Sequence, residues 1–401
     1  MSFPCRRETN PTMPGALLAI LQLVFALTWT VYVIYLPALA AQAGIDKRYV
    51  PMILVMDQAI FIACDWAAGV YADRIARIFG RVGGTMAGIT LVSCAAFIAL
   101  PWIAPAAGVV PFLFVTVLWS ATSSALRAPP FVLMSRHTDP SRRSWVAGLY
   151  LLGLGIASAL APYLGLALKQ VDPRIPFAAA SIGLAAVAVA LAHAERSWKA
   201  PVVIEELSGS DTASAATMTA FAFAVLLFAI GFQVHFSINS APSYQRFAEP
   251  GQLSKLMPVF WIGFNIAILP AIWLARAFGA MRVAVASGLI GAAAMIACTQ
   301  AASLETLAIA QLVAGAAWAI ALTGVFAAAT QAGSGGREGT FTGIVFSTLA
   351  AAALIRLAMV IGNVSATAPI GPQLDKLPFV AWAVASMIVA SLAIRRLKAT
   401  P

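Results

Sequence analysis

Charged residues in this chain gather into short clusters, and between the clusters lie apolar runs of about 20 residues, the length of helix that crosses a bilayer. Backbone polar groups inside hydrocarbon must be satisfied within the segment itself, so continuous apolar runs of this length have one way to fold, as spanning helices. Composition agrees: 61% of the 401 residues are apolar and 10% charged, against roughly 45–50% and 25% in a soluble domain. A soluble fold cannot hide so much apolar surface. The pattern excludes a secreted disulfide scaffold, a disordered chain and a nucleic-acid binder, although a formal charge of +10 would otherwise point to a polyanion partner.

The runs predict an all-α membrane protein of twelve transmembrane helices. The first six spans are Pro14 to Ala40, Val50 to Ala72, Val82 to Ile103, Val110 to Met134, Trp145 to Lys169 and Pro176 to His193. The second six are Thr217 to Ile238, Leu253 to Ala275, Val283 to Ala302, Leu304 to Gln331, Phe341 to Asn363 and Phe379 to Ile394. Between the sets lies the one long polar stretch, with Glu205, Glu206, Ser208, Gly209, Ser210 and Asp211. The division is therefore a six-helix bundle over 1–194, a linker over 195–215 and a second six-helix bundle over 216–401. The run from Pro14 to Leu39 is longer than the roughly 7–15 residues of a cleavable signal core, so the first span is expected to stay. Cys64, Cys94 and Cys298 lie inside apolar runs and Cys5 in the N-terminal tail, a spacing that serves neither a metal site nor a disulfide framework. No metal and no cofactor is expected.

Lysine and arginine set the topology. One side collects Arg6, Arg7, Arg74, Arg77, Arg81, Arg136, Arg142, Arg143, Arg196, Lys199, Arg276, Arg282, Arg337, Arg395, Arg396 and Lys398. The other has only Lys47, Arg48, Lys169, Arg174, Arg246, Lys255 and Lys376. Sixteen against seven places both termini in the cytoplasm and accounts for the basic balance without a polyanion. Short loops throughout point to a bacterial cytoplasmic (inner) membrane.

The halves echo one another. Arg77-Ile78-Phe79-Gly80 after span 2 recurs as Arg276-Ala277-Phe278-Gly279 after span 8, and Trp119 and Trp318 share the same offset of 199. Two pseudo-symmetric bundles in parallel repeat follow from this. After span 2 stands Gly69-Val70-Tyr71-Ala72-Asp73-Arg74-Ile75-Ala76-Arg77. It resembles the GxxxDRxGR signature of the major facilitator superfamily, with Ala76 in place of the second glycine. Physically, Gly69 lets its helix approach a neighbour, and Asp73 can face the positive N-terminus of another helix. The resemblance implies that this helix is span 11, starting after Gly339-Thr340, that the contact closes the cytoplasmic side, and that Arg74 and Arg77 belong to the same gate. Span 5 resembles, in degraded form, the antiporter signature of that superfamily. Gly148 and Pro162 keep the spacing, Ala157 and Ala161 replace glycines, and Gly165 is followed by Leu166. Close helix packing explains the same residues.

Ionisable residues at bilayer depth are costly and are functional candidates by default. Asp57 and Asp65 lie in span 2, Arg127 in span 4 and Arg356 in span 11. Counted along the helix axes, Asp57 shares a level with Arg356, and Asp65 with Arg127. The resemblance sets spans 2 and 11 face to face across the boundary between the halves, so Asp57 with Arg356 would be a pair that breaks and re-forms in transport, or a static one. Asp65 with Arg127 would lie within one half. Pro129 and Pro130 break span 4 just after Arg127 and free carbonyls there. His235, near the outer end of span 7, reads as a wetted helix end before it reads as a proton relay. Trp29, Tyr32, Trp119, Phe232 and Trp318 belong to the spans that line the central cavity in the resembled fold, where they would meet substrate or simply pack.

An enzyme would need a recognisable constellation, and neither a metalloprotease, a serine-hydrolase nor a phosphate-loop motif is present; Gly333-Ser334-Gly335-Gly336-Arg337 lacks the lysine. The expectation is a monomeric secondary transporter working by alternating access, with a small-molecule substrate, protons and the lipid bilayer as partners. Proton-coupled export of small organic compounds is the first reading, and proton-coupled import of an organic anion or metabolite the second.

Overall fold

The computed structural model describes residues 12–137, 143–198 and 215–399. Residues 199–214, most of the expected linker, lie outside the described residues, as do Cys5, Arg6, Arg7 and Arg142. Among the described residues, twelve helices have the length and hydropathy of membrane spans. They are α1 (Gly15–Gln42), α2 (Lys47–Phe79), α3 (Gly83–Ala107), α4 (Val109–His137), α5 (Ser144–Ala167) and α6 (Arg174–Ser197). The second set is α7 (Ala215–Gln245), α8 (Pro250–Phe278), α9 (Ala280–Gln300), α10 (Leu304–Ala332), α11 (Glu338–Ile361) and α12 (Leu377–Ile394). An even number of crossings puts both ends of the chain on one face, called here the terminal face.

Packing repeats in the two sets. In the first, α1 packs on α5, α3 on α4 and α6, and α2 on α4; in the second, α7 packs on α11, α9 on α10 and α12, and α8 on α10. Two pseudo-symmetric six-helix bundles result. They meet along α2 against α11 and α5 against α8. Both seams depend on missing side chains: a Cβ on Gly69 would strike the Gly339 carbonyl, and one on Gly148 would strike Ile272. Without water in the bilayer, dispersion contacts at such close approach are a main source of helix association.

Several helices run past the expected spans, α2 as far as Phe79 instead of the expected Ala72, and three of the departures have a local reason. Helix α4 stops being α-helical at Ser123, passes through a 3₁₀ turn at Ser124–Leu126 and resumes at Pro129. Pro130 has no N–H for the Leu126 carbonyl, which accepts the Tyr150 hydroxyl instead at 3.3 Å. Helix α6 runs on to Ser197 because Glu195 is anchored: its carboxylate accepts from the backbone N–H groups of Val82 and Gly83 at 3.0 and 2.9 Å, capping the start of α3. Helix α7 continues to Gln245 through a π turn at His235–Asn239.

Candidate functional site

Both seams lead to the terminal face, where the halves are fastened. The Asp73 carboxylate accepts from the backbone N–H of Gly339 and of Thr340 and from the Thr340 hydroxyl, each at 2.7 Å. It thereby caps the N-terminus of α11 from the other half, where the helix dipole favours a negative charge. Higher along the same seam, Ser347 donates to the Ile62 carbonyl at 2.7 Å. Among the described residues, the hydrogen bonds between the halves lie on this stretch of α2 and α11. Arg74 and Arg77 are exposed beside the fastening, and Arg136 donates to the Ala76 carbonyl at 2.7 Å.

Above the fastening the halves close on an aromatic layer. Phe131 of α4 stacks on Phe326 of α10 with centroids 4.9 Å apart and meets Tyr150 of α5 edge-on, also at 4.9 Å. Phe346 of α11 lies 4.9 Å from Phe326. Reading the sequence did not single out these four rings. In a chain with 22 phenylalanines, only the prolines just before Phe131 marked one of them.

The two acids of α2 have different partners. Arg127, brought inward at the break in α4, bonds the Asp65 carboxylate at 2.5 Å. The guanidinium also lies over the Phe61 ring at 4.6 Å and the Phe346 ring, across the boundary, at 5.4 Å. Asp57 faces the interior of its own half. Its carboxylate accepts from the Tyr32 hydroxyl at 2.8 Å and the Ser120 hydroxyl at 2.6 Å, and it has no exposed surface. Ser120 was not foreseen, although it follows Trp119 on a helix that faces α2.

Asp57 and Arg356 do not meet. Among the described residues Arg356 has no carboxylate within 4.0 Å, and its buried Nε has no hydrogen-bond partner. Equal level is not equal direction: at 3.6 residues per turn, Asp57 points about 160° away from Asp73, and Arg356 about 180° away from Ser347. Asp73 and Ser347 are the residues that face across the seam, so the other two face away from it.

The aromatic residues form one cluster in each half. Trp29 is half-buried and stacks on Trp119 at 5.9 Å, while Tyr32 lies 4.4 Å from Trp119 beneath it. Phe232, also half-buried, stacks on Trp318 at 4.8 Å and meets Trp261 edge-on at 5.8 Å. Tyr32, Trp119 and Trp318 are thus covered, and Trp29 and Phe232 present the accessible ring surface. His235 is not a wetted helix end. It is 4% exposed, because α7 continues beyond it, and its Nε2 lies 3.0 Å from Gln311 Oε1 of α10. The Gln311 amide donates to the Ser240 hydroxyl at 2.9 Å, and that hydroxyl donates to the His235 carbonyl at 2.8 Å across the π turn.

In α5, Gly148 and Gly155 press on Ile272 and Asn265 of α8, and Ala157 is buried. Pro162 lies further along the same helix, and beside it Gly165 has open space where a side chain would stand. The small residues on the terminal half of α5 therefore serve the seam between halves, and Gly165 does not. Among the described residues no group of three histidine, cysteine or acidic side chains could hold a metal ion.

Comparison with known proteins bears on the whole arrangement. The E. coli fucose:proton symporter FucP superposes with a TM-score of 0.70 at 15% identity, covering 96% of this chain and 99% of the other. A bacterial homologue of the iron transporter ferroportin, in an outward-facing state, gives 0.74 at 13% identity over 95% and 99%. The human organic anion transporter MFSD10 (TETRAN) gives 0.68 at 14% over 96% and 99%. At such identities the likeness is one of fold. No curated protein sequence matches the chain. The sequence profile of the Major Facilitator Superfamily matches residues 18–355, and with the helix-2 signature, the fastening to α11 and the paired six-helix bundles, the chain belongs to that superfamily.

Proposed function

We propose that the protein is a proton-coupled secondary transporter that exports small organic compounds in exchange for protons, rocking its two halves about the α2/α11 and α5/α8 seams. The terminal face is taken as cytoplasmic, on the strength of the lysine and arginine excess there. In this reading the Asp73 fastening and the aromatic layer hold the cytoplasmic side shut, and the protein works as a monomer in a bacterial cytoplasmic membrane.

The observation that carries proton coupling is Asp57, a fully buried acid held by two hydroxyls and, among the described residues, by no cation. Taking up a proton there breaks no ion pair. A hydroxyl can reverse from donor to acceptor, so Ser120 can receive the new O–H without leaving a buried group unsatisfied. Asp65 differs, since a proton there would strand Arg127. The half-buried faces of Trp29 and Phe232 suit an organic substrate with an apolar or flat body.

A second reading, import of an organic anion with protons, is favoured by one observation, the absence of a carboxylate partner for Arg356 among the described residues. One experiment separates the two. The purified protein is reconstituted in liposomes with a trapped pH-sensitive dye and challenged with compounds of both charge signs. Export by exchange predicts lumenal alkalinisation when a neutral or cationic compound enters, abolished by Asp57→Asn. Acidification when an anion enters, abolished by Arg356→Gln, establishes the second reading instead. Proton movement that survives Asp57→Asn removes Asp57 from the coupling.

A further inference from the structure

Helices α2 and α3 are joined by the short turn at Gly80 and Arg81, yet they do not pack on one another along their lengths. The space between them is floored by α4, at the stretch where that helix is broken. An open groove results, walled by Ala68, Tyr71 and Ile75 of α2 and Ile89 of α3, with Ala121 and Pro129 in its floor. It opens on the outside of the bundle, where Tyr71 keeps 50% of its surface exposed. The Thr122 hydroxyl at the floor is bonded to the Leu118 carbonyl at 2.6 Å and so is not free for a guest, which leaves the hydroxyls of Thr85 and Tyr71 as polar side-chain groups in a mainly apolar lining. Water needs two or more polar partners to occupy such a space, so the groove is suited to hydrocarbon.

Its depth is that of one leaflet. The α2 residues that line it lie four to eleven positions from the end of the helix at Phe79, within about 6–17 Å of the terminal face. At its mouth stand two cations. Arg74 follows Tyr71 by three residues on the same helix face, and Arg81 stands in the turn that joins the two walls, next to Val82 of the lining. Both are exposed, and neither has a carboxylate within 4.0 Å among the described residues. An apolar slot one leaflet deep beneath two unopposed arginines matches one molecule. We propose that the groove holds an acyl chain of an anionic phospholipid, whose headgroup lies against Arg74 and Arg81. The chain fills the back of the break in α4, on the side of the helix away from Arg127 and Asp65. The lipid is thereby a structural part of the half that carries both membrane acids.

The test uses the full-length protein, equilibrated with vesicles of equal parts phosphatidylglycerol and phosphatidylcholine of matched chains, extracted in mild detergent and weighed by native mass spectrometry. Two surface cations, each worth about a fivefold preference, give the parent a preference for phosphatidylglycerol of about twenty-five-fold. Arg81→Gln reduces it to about fivefold while a lipid is still retained. Ala121→Phe fills the groove from its floor and removes retained lipid of both kinds. Ile89→Trp fills it from the α3 wall and does the same, so a folding defect at the break in α4 cannot imitate the result. The proposal is overturned if a folded filling variant retains lipid like the parent, if the parent retains both lipids equally, or if Arg81→Gln leaves the preference unchanged.

Discussion

Asp57 and Asp65 stand eight residues apart on α2, both without exposed surface, and their surroundings are opposites. Asp65 is bound by a guanidinium that also touches a ring from the other half, so its environment includes the boundary between the halves. Asp57 is held by two hydroxyls from α1 and α4 of its own half, away from the seam. The first arrangement ties charge to conformation. The second lets charge change without disturbing the packing. One helix supplies both arrangements at two depths.

The contrast can be broken most severely at Arg127. Arg127→Gln leaves Asp65 buried without its cation, and the expected loss is about 3–5 kcal/mol. Unfolding in detergent measures it, and Asp65→Asn added to Arg127→Gln should restore most of the loss. A loss below about 1 kcal/mol would class the pair with surface ion pairs and erase the distinction. Next is Asp73→Ala, which removes the three bonds to α11 that exist when the terminal face is closed, each charge-assisted bond being worth about 1.5–3 kcal/mol. Spin labels at the exposed positions Ile78 and Phe278 should then report longer distances between α2 and α8. Unchanged distances would mean that the aromatic layer alone holds the face shut.

Smaller effects sharpen the Asp57 side. Tyr32→Phe deletes one of two donors to a buried carboxylate and should lower stability by about 0.5–1.5 kcal/mol, read from the same unfolding curves. Asp57→Asn should change stability least, by under about 1 kcal/mol, because the amide can accept from one hydroxyl and donate to the other. It should nonetheless abolish proton-driven accumulation while sparing exchange of substrate for substrate. If instead Asp57→Asn destabilises as much as Arg127→Gln, the two acids are both structural.

The fold was legible in the sequence because hydrocarbon leaves the backbone so few options. Apolar runs of spanning length fixed the helices, and the prolines at 129 and 130 located the break in α4. The docking of Asp73 on the start of α11 could be read from the signature and from the dipole argument together. Asp65 with Arg127 was found by counting residues along the axes. The same count failed for Asp57 and Arg356, since it measures depth and ignores direction around the helix. That direction was available: Asp57 and Asp73 lie sixteen residues apart, nearly half a turn out of phase. The aromatic layer of Phe131, Tyr150, Phe326 and Phe346 left no comparable trace. Its four members come from four helices and have no shared spacing. His235 was misplaced because the end of α7 was set by hydropathy, and a π turn carries that helix through Gln233, Ser237 and Asn239 without ending it.

That π turn also marks where α7 can change length. A π turn accommodates one residue more than an α-helix needs, so deleting a residue elsewhere in a span rotates everything beyond it by about 100°. Deleting one within His235–Asn239 would instead restore ordinary periodicity and leave both flanking stretches facing as they do now. Duplicated halves that diverge by insertion can absorb the extra residue at such a place. The offset of 199 that relates Trp119 to Trp318 is accordingly not expected to hold unbroken through α1 and α7, and an alignment of the halves should open its gap at this turn.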